Sequence, residues 1–270
     1  MKLHRLLVLL LVLLLFGLSS CETIQSEAQS ADIDAGGTDS DVIEVEPGNG
    51  AYKPVLQNNE LVWPVVGWPV EELDTARDVD YLTEVEKDVV LHLNMARANP
   101  ARYAQEFIRP RLAYFRGTLY REPDEPDNFA GYRTREGVAA VEEAVAVMNE
   151  KEALLPLTPA QGLSAAAQDH AADQARSGAT GHQGSDGSSP AQRVARYPGG
   201  ARGVGENIAY GYRNGREIVV QLLVDDGVPS RGHRVNILRP EFRYVGIGVD
   251  DHPVYRASCV MNFAFEYDGR

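Results

Sequence analysis

Cysteine is scarce in this chain of 270 residues, which has two, Cys21 and Cys259. Cys21 lies in an N-terminal segment with a different predicted role, so no intramolecular disulfide is expected in the folded part. Stability must then come from an ordinary hydrophobic core. Hydrophobic residues make up 44% of the chain, which is enough for one sizeable domain, or for one domain with an elaborated insertion.

Several signatures of other functions are also missing. The chain has no phosphate-binding P-loop, no dinucleotide-binding glycine pattern and no stripe of basic residues. Nucleotide and nucleic-acid partners are therefore not expected. The segment Gly184-Ser185-Asp186-Gly187 places a serine between glycines, but no G-x-S-x-G elbow stands between a strand and a helix, which disfavours a serine nucleophile.

The apolar run at the start of the chain is too short for a membrane span. It covers Leu6 to Leu18, about 13 residues where a transmembrane helix needs about 20, and it follows Lys2 and Arg5. This pattern predicts a cleaved signal peptide over residues 1–20. The run ends in Leu18-Ser19-Ser20-Cys21, which resembles a bacterial lipobox, so we expect Cys21 to carry acyl chains such as palmitate and to anchor the protein to a membrane. The alternative is an ordinary secretory signal in which Cys21 is incidental.

Basic residues are rare between residues 22 and 80, where 14 Asp and Glu face only Lys53 and Arg77. Residues 81–270 carry a net charge of −3, out of −13 for the whole chain. Residues 21–80 are therefore predicted to be an acidic disordered stalk that holds the domain off the membrane. Within it, residues 61–70 contain both tryptophans and two prolines, and they predict an extended strap docked on the domain, or alternatively a contact with a membrane or partner.

Hydrophobic patterns over residues 81–267 predict an α+β domain, since helices come first, strands follow, and no βαβ rhythm appears. A helix is predicted from Thr83, where Thr83 and Glu86 form a capping box, and Asn99-Pro100 should end it. Residues 117–135 are predicted to be a loop and residues 136–154 a second helix. A third helix is predicted after Pro156 with Thr158 as its N-cap, and strands are predicted at 244–249 and 257–265.

Three short motifs carry the residue types that chemistry needs. They are Gly181-His182-Gln183, Gly205-Glu206-Asn207 and Gly232-His233-Arg234. Together with Leu93-Asn94-Met95-Ala96-Arg97, the residues of these motifs and their order along the chain resemble the CAP superfamily, and in particular its bacterial branch. This superfamily comprises cysteine-rich secretory, antigen 5 and pathogenesis-related 1 proteins. The resemblance covers residues 81–267, apart from about 109–150, which look like an insertion able to shape a private partner surface.

The resemblance implies a three-layer α-β-α sandwich with a central cavity. It implies that His182, His233 and Glu206 face that cavity, with Asp225 as the fourth residue and Asp226 as an equally close candidate. In some members of the family this site holds a divalent metal, so zinc or another divalent cation is the implied cofactor.

The chemistry of these residue types allows two interpretations. Two neutral imidazoles and a carboxylate suit Zn²⁺, and a zinc-bound water becomes acidic enough to attack a carbonyl near neutral pH. Glu206 would then act as general base in a hydrolase for peptide or cell-envelope substrates. Alternatively, the same side chains hydrogen-bond each other in a buried polar network that specifies the core. Arg193 and Arg234 are expected in internal ion pairs, with anion binding as the alternative. His92 and His170 lie within predicted helices and are expected to be packed or solvent-facing and not ligands.

The sequence therefore predicts a lipid-anchored protein of the cell envelope, outside the cytoplasm. Its CAP domain is predicted to be a binding module for a divalent metal or a small-molecule, lipid or cell-envelope ligand. A zinc-dependent hydrolase and a mainly structural envelope protein are the alternatives, and no catalytic activity is firmly implied.

Overall fold

A computed structural model describes residues 67–122 and 130–269, together with the backbone of residues 55–57 and 60–62. The predicted signal peptide, Cys21, Trp63 and most of the predicted stalk lie outside these residues. Among the helices described, none has both the length and the hydrophobicity that a membrane span requires.

The described chain contains short and long helices and three separate sheets. The α-helices are α1 (Val70–Leu73), α2 (Glu84–Ala98), α3 (Pro100–Tyr103), α4 (Val138–Asn149), α5 (Gln161–Ser177), α6 (Pro190–Val194), α7 (Gly215–Val224) and α8 (Gly232–Ile237), and a π-helical turn (Ala104–Ile108) and a 3-10 helix (Arg109–Tyr114) follow α3. The strands are β1 (Val55–Gln57), β2 (Glu60–Val62), β3 (Phe115–Arg116), β4 (Leu119–Tyr120), β5 (Tyr132–Arg133), β6 (Thr158–Pro159), β7 (Gly205–Tyr210), β8 (Tyr244–His252) and β9 (Arg256–Ala264).

The body of the domain is a three-layer sandwich, which confirms the predicted α+β fold class. The central sheet has the strand order β6-β8-β9-β7 and is antiparallel except for the β6–β8 pair. Helix α5 packs on one face of this sheet, and α2 and α7 pack on the other. Gly246 and Gly248 let α5 approach closely, because a Cβ at either position would lie within 2.4 Å of the backbone of α5.

The larger part of the hydrophobic core lies between the sheet and helices α2 and α7. Cys259, Met261 and Phe263 alternate along β9 and are all buried on this face, as their spacing predicts. The thiol of Cys259 is enclosed there, and its burial raises its pKa above the usual range. This cysteine is therefore a packed core residue and not a reactive thiol.

Helix α2 begins and ends where the sequence predicts. The side chain of Thr83 accepts from the amide of Glu86, the Glu86 carboxylate accepts from the amide of Thr83 at 2.8 Å, and the helix ends at Asn99. Near its C-terminus Arg97 is fully buried. Its guanidinium donates to the backbone carbonyls of Leu155, Ile237, Arg239 and Phe242, so one side chain ties α2 to two distant segments.

Asn94 acts in the same way one turn earlier. It donates to the carbonyl of Leu73 at 2.8 Å and accepts from the amide of Leu157 at 2.7 Å. The Asn94 and Arg97 positions of the motif Leu93-Asn94-Met95-Ala96-Arg97 therefore hold loops to the core, which is a structural role.

The predicted start of the third helix is wrong. Thr158 and Pro159 form the short edge strand β6, in which the amide of Thr158 donates to the carbonyl of Arg243, and α5 starts only at Gln161. Pro159 is tolerated because an edge strand leaves one side of its backbone unpaired. Pairing with β8 therefore outweighs the local capping signal of Thr158.

The folded body extends further toward the N-terminus than the predicted boundary at residue 81. Trp68, Leu73 and Ala76 are buried in the main core. The indole of Trp68 donates to Glu106 at 2.8 Å, and the guanidinium of Arg102 lies 4.3 Å from the centre of its ring. The second half of the predicted strap thus packs on the domain.

The described part of residues 109–150 contains a small three-stranded sheet, β3-β4-β5, followed by α4. Helix α4 lies inside the predicted second helix but is shorter at both ends. Val141, Ala144 and Met148 place it in the main core, and Glu143 pairs with Arg234 at 2.6 Å. That the segment is an insertion relative to the family stays a prediction.

Candidate functional site

The motif Gly205-Glu206-Asn207 lies on β7, an edge strand of the central sheet. Successive side chains of a strand point to opposite faces. Glu206 shares its face with Ile208, which packs with α5, whereas Asn207 lies on the face of Ala209, which packs with the main core. This edge strand therefore contributes one side chain to each histidine, since Glu206 contacts the ring of His182 and Asn207 contacts the backbone of His233.

On the α5 side, Glu206 holds His182. The Nδ1 atom of His182 lies 2.8 Å from Oε1 of Glu206, and Arg193 donates to Oε2 of the same carboxylate at 2.7 Å. The Glu206 and Arg193 side chains are 1% and 3% exposed, while that of His182 is 39% exposed. A buried ion pair therefore presents a histidine at the surface, which confirms the predicted internal ion pair of Arg193.

Arg193 also organises the loop that carries His182. It donates to the carbonyls of His182 at 3.0 Å and Ser188 at 2.8 Å. Arg193 lies on α6, which begins with Ser189 as its N-cap in a capping box with Gln192. The arginine thus fixes both the carboxylate and the backbone beside the histidine.

In the second histidine–carboxylate pair, Asp225 holds His233. Its Oδ1 lies 2.6 Å from Nδ1 of His233, and its Oδ2 accepts from the His233 amide at 3.0 Å. Asp225 follows α7 in a left-handed conformation with φ of 56°. The neighbouring Asp226 turns away and accepts from the amides of Arg135 and Glu136, so the structure pairs Asp225, and not Asp226, with His233.

The two histidine–carboxylate pairs are linked through asparagines. Asn207 donates to the backbone carbonyl of His233 at 3.0 Å, and Asn236 donates to the side-chain oxygen of Asn207 at 2.9 Å. Both asparagines therefore have a structural role. They also fix the position of α8 relative to β7, and with it the position of His233 relative to Glu206.

Three residues that the sequence motifs do not identify hold the backbone of the loop that carries His182. Gln174 donates to the carbonyl of Gly181 at 2.8 Å, and the hydroxyl of Tyr210 accepts from the Gly181 amide at 2.9 Å. His170 lies 2.9 Å from the same carbonyl, and burial lowers the pKa of His170. The i, i+4 spacing of His170 and Gln174 places them on one face of α5, which was the available signal.

The two imidazoles are donor groups of a kind that divalent metals accept. In metal sites a carboxylate commonly binds one ring nitrogen of a histidine ligand, which orients the ring and leaves the other nitrogen basic. Glu206 and Asp225 contact Nδ1 of their histidines in this manner, so they have the contacts of orienting groups and not of ligands. Within residues 67–122 and 130–269, no group of three or more His, Cys, Asp or Glu side chains is close enough to hold a metal ion.

The geometry of Glu206 bears on the hydrolase interpretation. Both of its oxygens are engaged, one by His182 and one by Arg193. A general base needs a carboxylate oxygen within reach of the proton it abstracts. Nearby Ser185 donates to Asp173 and does not contact His182 in the described contacts, so these residues form no nucleophile and base pair.

Comparisons with known proteins agree with this architecture. The profile of the cysteine-rich secretory protein family, CAP, matches residues 114–263. That range contains His182, Glu206, Asp225 and His233, and it is more than half of the chain.

Two solved structures are similar over part of the chain. An extracellular protein containing an SCP domain from Bacillus anthracis is 26% identical with a TM-score of 0.35, covering 41% of this chain and 34% of that one. An outer surface protein from Borrelia burgdorferi is 19% identical with a TM-score of 0.36, covering 42% of this chain and 80% of that one. The matched region thus spans about a third of the Bacillus protein, and no curated protein matches the chain. On the strength of the family profile, which matches more than half of its length, the chain belongs to the CAP family.

Proposed function

We propose that this protein is an extracytoplasmic lipoprotein whose CAP domain is a binding module centred on His182 and His233. The observation that carries the proposal is the pair of buried carboxylates, each fixed to Nδ1 of one histidine. Such contacts hold both imidazoles in a defined orientation before any ligand arrives, and preorganisation of this kind favours binding. The 39% exposure of the His182 side chain supports access from solvent.

A divalent cation, zinc in the first instance, is the ligand that this donor set suits best. His182 and His233 would hold it through their basic ring nitrogens, with Glu206 and Asp225 as orienting carboxylates. A bound zinc supplies Lewis acidity and an acidic water. A small molecule, lipid or cell-envelope component is the alternative ligand of the same site.

Metal analysis and zinc titration of the purified full chain test the site directly. Stoichiometric zinc that is lost in the double variant His182→Ala/His233→Ala is the expected result. The variant His92→Gln is the control, since His92 lies in α2 and its Nδ1 contacts Tyr103 in the main core. Zinc binding that survives in the double variant would contradict the metal proposal. If none of the three proteins binds zinc, the metal proposal is also wrong, and the alternative ligands of the site are tested next.

The contacts of Glu206 favour binding over hydrolysis, because neither carboxylate oxygen is available as a base. If the domain were a hydrolase, Glu206→Gln should abolish turnover of peptide or cell-envelope substrates while the protein stays folded. We expect no turnover in either form. Measured hydrolysis by the wild type that Glu206→Gln removes would replace the binding proposal.

Anchoring through Cys21 rests on the lipobox pattern, Leu18-Ser19-Ser20-Cys21, after a short apolar run. In bacteria that express the full chain, the protein should fractionate with membranes and label with palmitate. Cys21→Ala should move it to the soluble fraction, whereas Cys259→Ala, which alters the buried core cysteine, should not. Equal fractionation of both variants with the wild type would contradict the lipid anchor.

A further inference from the structure

A cavity lies outside the two histidine pairs. It has a volume of about 90 Å³ and lies between the small sheet β3-β4-β5 and the chain that follows β7, and it contains neither His182 nor His233 in its wall. A cavity of this size holds roughly six water molecules, which is a suitable volume for a single aromatic ring with a small substituent.

One wall of this cavity is an aromatic row built by strand register. Phe115, Tyr120 and Tyr132 stand directly opposite one another across β3, β4 and β5, and all three line the cavity. The rings of Phe115 and Tyr120 have centroids 5.0 Å apart and are tilted by 48°. Side chains in register project from the same face of a sheet, so the small sheet presents one continuous aromatic face.

The opposite wall is also aromatic and comes from the body of the domain. Tyr210 and Tyr212 follow each other around the end of β7, and Tyr255 lies in the turn between β8 and β9. Tyr210 and Tyr255 have centroids 5.4 Å apart, and Tyr212 contacts Tyr132 of the first wall at 5.5 Å. A planar ring placed between these walls finds tilted aromatic partners on both sides, which is a favoured arrangement for aromatic groups.

Two charged residues of the wall, Arg111 and Asp226, are buried and already have partners, whereas a third, Arg133, is exposed. Arg111 is paired with Glu217 and Glu122 and donates to the hydroxyl of Tyr120. Asp226 accepts one backbone amide on each carboxylate oxygen, at 2.7 and 2.8 Å. Because both buried groups are already engaged by other partners, the enclosed part of the cavity favours a neutral ligand over an ion.

One acceptor in the wall lacks a donor. Gln221 donates through Nε2 to the carbonyl of Tyr210 at 3.2 Å, and this contact fixes which end of its carboxamide is oxygen. Among the described residues, its buried Oε1 has no hydrogen-bond partner. An unsatisfied buried acceptor is unfavourable, so an O–H or N–H of a ligand that reaches it would be selected.

From these observations we infer that the cavity between β3-β4-β5 and the end of β7 binds a neutral aromatic ring that bears one hydrogen-bond donor, such as a phenol or an indole. The ring lies between the two tyrosine-rich walls, and its donor is directed to Gln221. The same chemistry occurs in free phenolic compounds and in the tyrosine or tryptophan side chains of a peptide. The site is separate from the proposed histidine site and does not depend on it.

Calorimetric titration of the full chain carrying Cys21→Ala tests the inference, since that variant has no acyl chain to compete for an apolar cavity. The probes are p-cresol, its donor-free counterpart p-xylene, and N-acetyltyrosinamide, which represents a peptide side chain. We expect p-cresol to bind about five-fold more tightly than p-xylene, as one hydrogen bond predicts. Binding of N-acetyltyrosinamide would identify a peptide source, and its failure beside bound p-cresol would identify a free compound.

Two variants localise the binding. Tyr132→Leu should weaken p-cresol about five-fold or more, whereas Tyr244→Leu, which removes a tyrosine that pairs with Tyr267 away from the cavity, should not. Gln221→Met keeps the side-chain volume, so it should abolish the preference for p-cresol over p-xylene. The inference is overturned if none of the probes binds, if p-xylene binds the unaltered cavity as well as p-cresol, or if Tyr132→Leu and Tyr244→Leu have equal effects.

Discussion

The two histidine pairs look alike in sequence but differ in how their carboxylates are stabilised. Glu206 is shared between His182 and the buried guanidinium of Arg193. Asp225 is held by the ring and the backbone amide of His233, and within the described ranges no arginine or lysine forms an ion pair with it. The charge of Glu206 is therefore balanced whatever His182 does, whereas His233 itself is the main partner of Asp225.

This difference separates two kinds of site. His182 lies on an exposed loop above a complete ion pair, so it is able to bind a ligand without leaving a buried charge alone. His233 is 13% exposed and is part of the structure that holds its own carboxylate. We therefore expect His182 to be the more accessible ligand-binding residue, and His233 to contribute more to local structure.

The strongest test of this comparison is the removal of Arg193. Arg193→Met leaves the buried Glu206 carboxylate without its cation, and loss of one partner of a buried ion pair costs about 3–5 kcal/mol. The free energy of unfolding, measured with urea, should fall by that amount. Arg196→Met removes an arginine from an exposed pair with Asp186 and should leave it nearly unchanged. Equal effects of the two variants would show that Glu206 is not held by Arg193.

A smaller effect is expected when the carboxylate of the second pair is altered. Asp225→Ala removes both contacts to His233 and places alanine at a φ of 56°, so it should destabilise the protein by about 3 kcal/mol. Asp225→Asn tolerates this backbone conformation and keeps an acceptor oxygen, so the loss should be about 1 kcal/mol. Urea denaturation measures both, and an alanine variant no worse than the asparagine variant would contradict the role of backbone strain.

The sequence predicts much of this fold because its signals are local. The capping box of Thr83 and the alternation of Cys259, Met261 and Phe263 depend on neighbouring residues, and the structure has both. Thr158 fails as an N-cap because its backbone pairs with a strand more than eighty residues later. Non-local pairing of this kind leaves no mark within a short window.

The candidate site divides in the same way. The motifs identify His182, Glu206 and His233, but they do not show whether the carboxylates are ligands or partners of the histidines. That distinction depends on which atoms meet, and the Arg193 contact with Glu206 joins α6 to β7 across a turn. The aromatic cavity could not be predicted from the sequence either, because its walls come from three segments that only the folded chain brings together.

The smallest expected effect concerns pH and the support beneath His182. Burial lowers the pKa of His170, and the nearby charge of Arg193 lowers it further. The charges of Glu206 and Asp173 and the contact with the Gly181 carbonyl raise the pKa but do not outweigh burial. The unfolded chain therefore binds a proton more readily than the folded one. Stability contributed by neutral His170 is present above the unfolded pKa of about 6.5 and is lost as the pH falls toward the lower folded value.

The variant His170→Gln has no titrating group at this position and is able to donate to the same carbonyl. Its free energy of unfolding, measured with urea between pH 7 and pH 5, should therefore fall less steeply than that of the wild type. The difference between the two slopes is at most about 1.4 kcal/mol per pH unit, which is the limit for one proton. Thr180→Ser, an exposed change next to the loop, should keep the wild-type slope. Identical slopes in His170→Gln and the wild type would mean that the acid sensitivity of the His182 loop arises elsewhere, with buried His92, whose pKa is also lowered by burial, as the next residue to change.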